Sequence, residues 1–467
     1  MFFLKPLSFA REFIKKLNEA LCQLEAKPLS KAQMVWLSIC ITGIIVTNSV
    51  CWKRFERAGF GKFSSGTISA MFKRASISWS KLLLASIKLI LKEYGITEGI
   101  LALDGTDNKR SKNTKNIPKV HTIKDKSSGG FIKGQELTIL VLITEKVTIP
   151  VGFEFYEPDP VCVLWKKNDK ALRKQGVSKK NRPPEPQKNP KYPSPLEVGL
   201  EVLKGFKKEF PEIKVKAVLA DALYGASTFF KPASRIFPGV QIISQVKKTQ
   251  MIRMHGKFIS VEEYFRRNTG VSKSMKIRGG KEENVIMHGA RLYLKAHGCK
   301  RFIIALKYEG EEEYRYLMAS DLTWRLTDIA AAYTIRWLVE VFIQDWKSYE
   351  GWCNLAKQPG EEGSRRGVIL SLLVDHSLLL HPDQLALVKN KLPASTVGSL
   401  RDKERAKAII EAIESILPNE SRFAKIVSDL QKCVNDSIIL QPSKKHMCDK
   451  VFGRLEPTPS LKYQAVA

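Results

Sequence analysis

Acidic residues are scarce beside basic ones. The chain has 47 Asp and Glu against 77 Lys and Arg, a formal net charge of +30. A surface that basic attracts polyanions and speeds encounter with them, so nucleic acid is the first candidate partner, ahead of ribosomal and membrane surfaces. Cysteine is thinly spread. Its eight copies, Cys22, Cys40, Cys51, Cys162, Cys299, Cys353, Cys433 and Cys448, stand singly with no C-x-x-C pair. That excludes the usual zinc patterns and a disulfide framework, and it fits reduced thiols in the cytosol. Histidine is rarer still at seven copies, among them His121, His255, His288 and His376, and they form no ligand spacing. No glycine-rich P-loop is present, so no nucleotide cofactor is expected. A long apolar run is also missing. The stretch 35–51 (VWLSICITGIIVTNSVC) is shorter than a usual membrane span and carries Ser38, Thr42, Thr47, Asn48 and Ser49, so it reads as the buried helix of a soluble domain. The opening MFFLKPLSFAREF has no signal-peptide core. The expectation is a cytoplasmic protein with no membrane partner.

What is present fills several domains. A chain of 467 residues with 44% hydrophobic content can build sizeable cores, on a prior of roughly 150 residues per domain. Residues 1–96 read as helices, with Ser30 placed to cap one and Gly59 and Gly61 as breaks. A helix opening at 65–69 carries Lys73 and Arg74. This suits a DNA-binding helical domain with those two side chains as contacts, although an ordinary packing domain reads the same way. At Gly99 the period changes. The run 100–103 predicts a short strand ending in Asp104, and 121–134 reads as a turn-forming loop. Strands are expected at 135–144, 149–156 and 215–220, the last delivering Asp221, with a helix at 196–210 between them. Residues 158–195 are basic and Pro-rich and read as an exposed loop, either touching phosphates or simply solvated. The resulting division is a core from 97 to 238, a β-rich insertion over 239–318, a return to the core over 319–355 on one long helix, and a helical region from 356 to 467. Strands alternating with crossover helices indicate an α/β layer architecture.

Three carboxylates stand out. Taken singly, Asp104 and Asp221 at strand ends suit caps or turns. The helix expected from 327 to 349 is more telling. Tyr333, Arg336, Glu340 and Lys347 follow one another at intervals of three, four and seven residues, which places all four on one face. A tyrosine, a guanidinium, a carboxylate and an ammonium along one stripe can form the edge of an active site, while Leu338, Val341 and Phe342 pack inward. Composition alone suits a solvated face with an ordinary Arg336–Glu340 pair equally well.

The spacing Y-x2-R-x3-E-x6-K resembles the signature of the insertion-sequence-4 group of bacterial DDE transposases, met here at Tyr333, Arg336, Glu340 and Lys347. Trp337, Phe342 and Trp346 between them are similar to residues common in that group. Leu103-Asp104-Gly105 resembles its first acidic motif, and Asp221-Ala222-Leu223-Tyr224-Gly225 its second. The motifs come in the group's order, with a β-rich insertion before the Glu, and the resemblance spans roughly 98–350. It implies a ribonuclease-H-like catalytic core in which Asp104, Asp221 and Glu340 hold two Mg²⁺ ions, replaceable by Mn²⁺. It also implies DNA contacts by Tyr333, Arg336, Trp337 and Lys347. The partners implied are double-stranded DNA, namely the element's terminal inverted repeats and its target, and a second copy of the chain in a dimeric synapse, all in a bacterial, nucleoid-associated setting. Helices near 403–416 and 424–434 are the candidate dimer contacts. Members of the group often pass through a hairpin intermediate, with a flipped base stacked on a Trp before the helix. This chain has no Trp in that strand, which leaves Tyr314, Tyr316 or Trp324 as substitutes. Two alternatives stay open: a domesticated DNA-binding protein that no longer cuts, and a nuclease of the same fold without strand transfer.

Overall fold

The computed structural model describes residues 2–110, 114, 116–125, 128–268, 270–276, 282–355, 360–417, 421–443, 455–458 and 461. It is a mixed α/β protein in which one large sheet is covered by helices. The chain begins with α1 (Ser8–Gln23), α2 (Lys31–Thr47), α3 (Trp52–Ala58), α4 (Ser65–Arg74) and α5 (Trp79–Glu93). Ser30 starts α2 with a full capping box. Its hydroxyl accepts from Gln33 N at 3.2 Å, and Gln33 Oε1 accepts from Ser30 N at 2.8 Å, which satisfies two otherwise orphaned amides. Helix α2 is apolar nearly all round, with Trp36, Leu37, Cys40, Ile41, Ile44 and Ile45 buried, as a helix enclosed in a core must be. Among the described residues, no helix is long and apolar enough to cross a membrane.

The sheet grows from β1 (Glu98–Lys109). On one side β1 pairs antiparallel with β3 (Phe131–Ile143), whose far edge holds β2 (His121–Lys124) and β4 (Thr148–Tyr156). On the other side β1 runs parallel to β5 (Lys214–Ala220), and β5 runs parallel to β6 (Gln241–Gln245). Helix α6 (Pro160–Lys174) and helix α7 (Pro195–Glu209) lie between β4 and β5, and helix α8 (Ser227–Ile236) links β5 to β6. The chain continues as β7 (Met251–Met254), β8 (Lys257–Ser260), α9 (Val261–Arg266), β9 (Val271–Lys276), β10 (Glu282–Leu294), β11 (Cys299–Tyr308) and β12 (Arg315–Ala319). These strands extend the same sheet, because β12 pairs with β6 and the order then runs β11, β10, β7, β8. The helices α10 (Leu326–Ile335), α11 (Trp337–Tyr349), α12 (Glu361–Leu379), α13 (Pro382–Lys389), α14 (Val397–Ile416) and α15 (Ser421–Ser437) follow.

Several expectations need correction. Strand β1 does not end at Asp104 but runs on to Lys109, because β3 continues to pair with it through Lys109↔Gly134. The supposed loop at 121–134 contains β2 and the start of β3, paired from His121↔Gly134 to Lys124↔Phe131. The basic stretch 158–195 contains α6, begun by Asp159, whose carboxylate accepts from Val161 N at 2.8 Å, and by Pro160 in the first turn. The region 239–318 is not set apart at its start, because β6 is a full strand of the central sheet. It also contains α9, over residues that read as strand. The long helix is broken at Arg336, where Arg336 N donates to Tyr333 O at 3.1 Å and Val339 N donates to Arg336 O at 3.0 Å. These i to i−3 bonds tighten one turn and separate α10 from α11.

The returning helix is fixed by aromatic stacking. Trp346 lies against Trp352 with centroids 4.5 Å apart at 5°, and against Phe342 at 5.6 Å. Its indole N–H donates to Ser371 Oγ of α12 at 2.8 Å. Replacing Trp346 with Ala empties this seam and is expected to cost about 3–5 kcal/mol, read as a lower denaturant midpoint at unchanged slope. Trp346→Phe should recover part of the loss. A Trp346→Ala protein as stable as the parent contradicts this assignment of the seam.

Candidate active site

Sheet register sets the first two carboxylates side by side. The parallel ladder between β1 and β5 closes at Leu103↔Ala220. Asp104 and Asp221 are the next residue on each strand, about one strand spacing apart. Beyond that point β5 turns away. Asp221 caps a short 3-10 turn, its Oδ1 accepting from Leu223 N at 3.0 Å while its carbonyl accepts from Ser244 Oγ at 2.6 Å. Gly225 ends this turn flat against β6, and a Cβ there would stand 2.3 Å from Gln245 O. The β10–β11 corner braces the same turn. Arg301 Nε donates to His297 Nδ1 at 3.3 Å, which leaves His297 Nε2–H to donate to Gly225 O at 3.2 Å. Burial holds that imidazole neutral, lowering its pKa to about 4.

The third carboxylate comes from the helices. Arg336, at the break between α10 and α11, donates to Asp104 Oδ2 at 2.9 Å through Nη1 and to Glu340 Oε1 through Nη2. Its side chain is 12% exposed, against 15% for Asp104 and 50% for Glu340. The Tyr333 ring lies under the guanidinium, 5.6 Å from centroid to Cζ. The buried Tyr333 hydroxyl and Arg336 Nε have no hydrogen-bond partner among the described residues. Burial raises the Tyr333 pKa to about 12, partly offset by Arg336. Lys347 Nζ is 3.0 Å from Asp107 Oδ1.

Asp104, Asp221, Arg336, Glu340 and Lys347 line one cleft of about 830 Å³. Five carboxylates face into it, those of Asp104, Asp107, Glu136, Asp221 and Glu340, against the cations Lys124, Arg336 and Lys347. A chain of net charge +30 thus has a locally acidic cleft. Asp104 registers this. Burial foremost, with repulsion from Asp221 and Glu340, lifts its pKa to about 6 although Arg336 and the Gly105 amide pull the other way.

Hard oxygen donors in an acidic cleft suit Mg²⁺ or Mn²⁺. The unpartnered Tyr333 hydroxyl and Arg336 Nε beside them show that this corner is not yet saturated with protein hydrogen bonds. In the present arrangement, no three His, Cys, Asp or Glu side chains among the described residues are gathered tightly enough to hold one ion. Arg336 stands between Asp104 and Glu340 as the neutralising cation.

The remaining candidates lie elsewhere. Tyr333 is behind Arg336 rather than on the cleft wall, and Trp337 is half-buried against the core. Lys73 and Arg74 are exposed at the end of α4, away from the cleft. Of the rings considered for base stacking, Trp324 and Tyr316 are enclosed in the core at 2% and 7% exposure, and Tyr314 packs with Lys307 at 5.2 Å. None of the three reaches the cleft. In their place the cleft presents Leu223, 52% exposed two residues after Asp221. Sequence reasoning passed over Asp107, Glu136 and Lys124, which line the same cleft. For Asp107 the available signal was its place three residues after Asp104, opposite Lys347. Glu136 and Lys124 join only through strand pairing, and no sequence spacing marks them.

No protein-family model matches the chain, and no curated protein matches it significantly. Among solved structures, the chain is similar to the piggyBac transposase synaptic complex with hairpin DNA, at a TM-score of 0.42 and 10% identity, covering 92% of this chain and 85% of that one. A likeness that loose does not establish a shared family.

The raised pKa has a measurable consequence. A folded carboxyl pKa of about 6 against 3.8 unperturbed means the native state binds the proton more tightly than the unfolded state. Its contribution is therefore most favourable below pH 4 and is lost as pH rises through 6. Asp104→Asn should stabilise the metal-free protein at pH 8 by on the order of 2 kcal/mol, with the gain shrinking toward pH 4. A melting-temperature offset that does not change with pH contradicts this.

Proposed function

We propose that this chain is a metal-dependent DNA transposase with a ribonuclease-H-like core, in which Asp104, Asp221 and Glu340 hold two Mg²⁺ ions, replaceable by Mn²⁺. The observation that carries the proposal is the β1–β5 register, which sets Asp104 beside Asp221 in the same cleft as Glu340. The strand order β4-β3-β1-β5-β6, with β1, β5 and β6 parallel and helices crossing before and after β5, supports that core. The helix break at Arg336 and the four-residue spacing around it support the transposase reading over a generic nuclease.

Two Mg²⁺ ions bound there would activate the attacking oxygen and stabilise the leaving oxygen of a phosphodiester. The rest falls to the chain's own groups. Asp221 is held in the cleft wall by the Leu223 amide, which donates to its Oδ1. Arg336 exchanges its carboxylate partners for a DNA phosphate as substrate enters, since guanidinium forks suit both. Tyr333 supports that guanidinium from beneath. Lys347 is tied to Asp107 and supplies positive charge further along the strand. The substrates are double-stranded terminal inverted repeats and target DNA, brought together by a homodimeric synapse. Helix α14 packs within its own chain, Arg401 Nε donating to Ile45 O at 2.9 Å. That leaves α15, with Ile426 and Leu430 exposed, as the better dimer contact. With none of Tyr314, Tyr316 and Trp324 lining the cleft, the proposal assigns no ring to a hairpin step.

The test uses the inverted repeats that flank the gene as substrate, with Mg²⁺ or Mn²⁺. The parent should cleave and join these ends. Asp104→Ala, Asp221→Ala and Glu340→Ala should each lose at least about a thousand-fold, roughly 4 kcal/mol of barrier, while melting as folded proteins. Full activity in any of the three overturns the metal assignment. Cleavage without joining identifies a nuclease, and salt-sensitive binding without nicking identifies a binder that no longer cuts.

A further inference from the structure

A second, strongly basic hollow of about 470 Å³ lies between the N-terminal helices and α14. It is lined by Val46, Thr47, Arg54, Arg57, Ala58 and Arg405. Arg54 and Arg57 project from one face of α3 at a spacing of three. Both are exposed, and neither guanidinium has an ion pair or hydrogen bond among the described residues. Arg405 comes from α14. Its Nη1 is 3.0 Å from Asp402 Oδ1, while its buried Nε has no partner among the described residues. No carboxylate lines the hollow. The one acid of α3, Glu56, is engaged elsewhere, by Lys53 Nζ at 2.6 Å and Ser65 N at 3.1 Å. Three guanidinium groups with one carboxylate between them, Asp402 on Arg405, leave surplus positive charge here, a local electrostatic cost that an anion would remove.

The hollow adjoins the acidic cleft. Thr47 lines the hollow, and Asn48 follows it in the left-handed conformation. Asn48 Nδ2 donates to the carbonyl of Ser348 at 2.6 Å, its Oδ1 accepts from Gly351 N at 3.0 Å, and Ser348 lines the cleft beside Lys347. The hollow and the cleft are thus joined through three residues in contact or sequence, Thr47, Asn48 and Ser348.

We infer that Arg54, Arg57 and Arg405 form a phosphate-binding site for the duplex DNA backbone flanking the position of cleavage. The ligand named here rests on the transposase reading above. The site separates two tasks: carboxylates and divalent ions at the reacting phosphate, and fixed guanidinium groups on phosphates that do not react. Arginine suits the second task because it binds phosphate through a planar fork of donors.

The experiment titrates the full chain with a labelled inverted-repeat duplex over a range of salt, for the parent, for Arg54→Gln/Arg57→Gln/Arg405→Gln and for the matching triple Lys variant. Each phosphate contact adds about 0.9 to the slope of log affinity against log salt. The Gln variant should lose about two to three from that slope and at least about ten-fold in affinity near 0.15 M salt, while the Lys variant keeps most of both. Single methylphosphonates along the duplex should weaken the parent at positions away from the cut, and those same positions should become silent in the Gln variant. If the triple Gln variant unfolds, the single Arg57→Glu replacement carries the same comparison. A Gln variant with the parent's slope and interference pattern overturns this site and leaves the transposase reading intact. So does inorganic phosphate stabilising the parent through these arginines while duplex affinity ignores them. A parent with no salt-dependent affinity for duplex DNA overturns both.

Discussion

Arg336 holds the site together. Its guanidinium joins the carboxylate of β1 to that of α11 and so fixes how the returning helices sit on the sheet. Asp104, Asp221 and Glu340 cannot all remain ionised at close range in a half-dry cleft without a compensating cation. Burial foremost lifts the Asp104 pKa, with repulsion from Asp221 and Glu340 adding to it, and Arg336 offsets this only in part. That partial neutralisation is the physical basis of the enzyme reading. Five carboxylates against three cations line the cleft, an excess that suits the divalent ions of the proposed mechanism. Two buried donors and acceptors, Tyr333 Oη and Arg336 Nε, remain unsatisfied beside it, which fits a corner whose bonding is completed by substrate.

Net charge alone hides this arrangement. The protein is basic overall, but the cleft is acidic, and Arg54, Arg57 and Arg405 line a separate hollow that Thr47 and Asn48 link to it. An acidic cleft repels a bare phosphodiester. In the proposed enzyme the basic hollow would supply the attraction that brings the backbone close, and divalent ions would make contact with the carboxylates favourable. The N-terminal helices accordingly matter less through α4, where Lys73 and Arg74 point into solvent, than through the α2–α3 corner packed against α11 and α14.

How much of this was legible in the sequence depended on where the information lies. Strands β3, β4 and β5, helix α7 and the capped start of α2 were readable because their signals are local: β-branched runs, helical periodicity, and Ser30 with Gln33. Of Tyr333, Arg336, Glu340 and Lys347, expected on one face of one helix, three line the cleft, and the helix is broken in two at Arg336. Other features depend on partners distant in the chain. Asp104 sits within β1, not at its end, because β3 continues beside it. Helix α6 escaped notice because Val161, Val163 and Leu164 face solvent, so no buried stripe marks it. Tyr333 lost its place on the wall when the turn tightened at Arg336. Trp324 and Tyr316 were poor choices for stacking because their burial is decided by the sheet they pack on, which no local pattern reports.

The central claim is that Asp104, Asp221 and Glu340, distant in sequence, share bound divalent ions. Iron-directed backbone cleavage tests it without reference to DNA. Fe²⁺ substituted for Mg²⁺ in the folded protein, with peroxide and ascorbate, breaks the chain next to wherever the ion sits. The account predicts three sets of fragments, ending near residues 104, 221 and 340, all suppressed together by excess Mg²⁺ and all absent in Asp221→Asn. Cleavage confined to other segments, or no Mg²⁺-sensitive cleavage at any of the three positions, would contradict it.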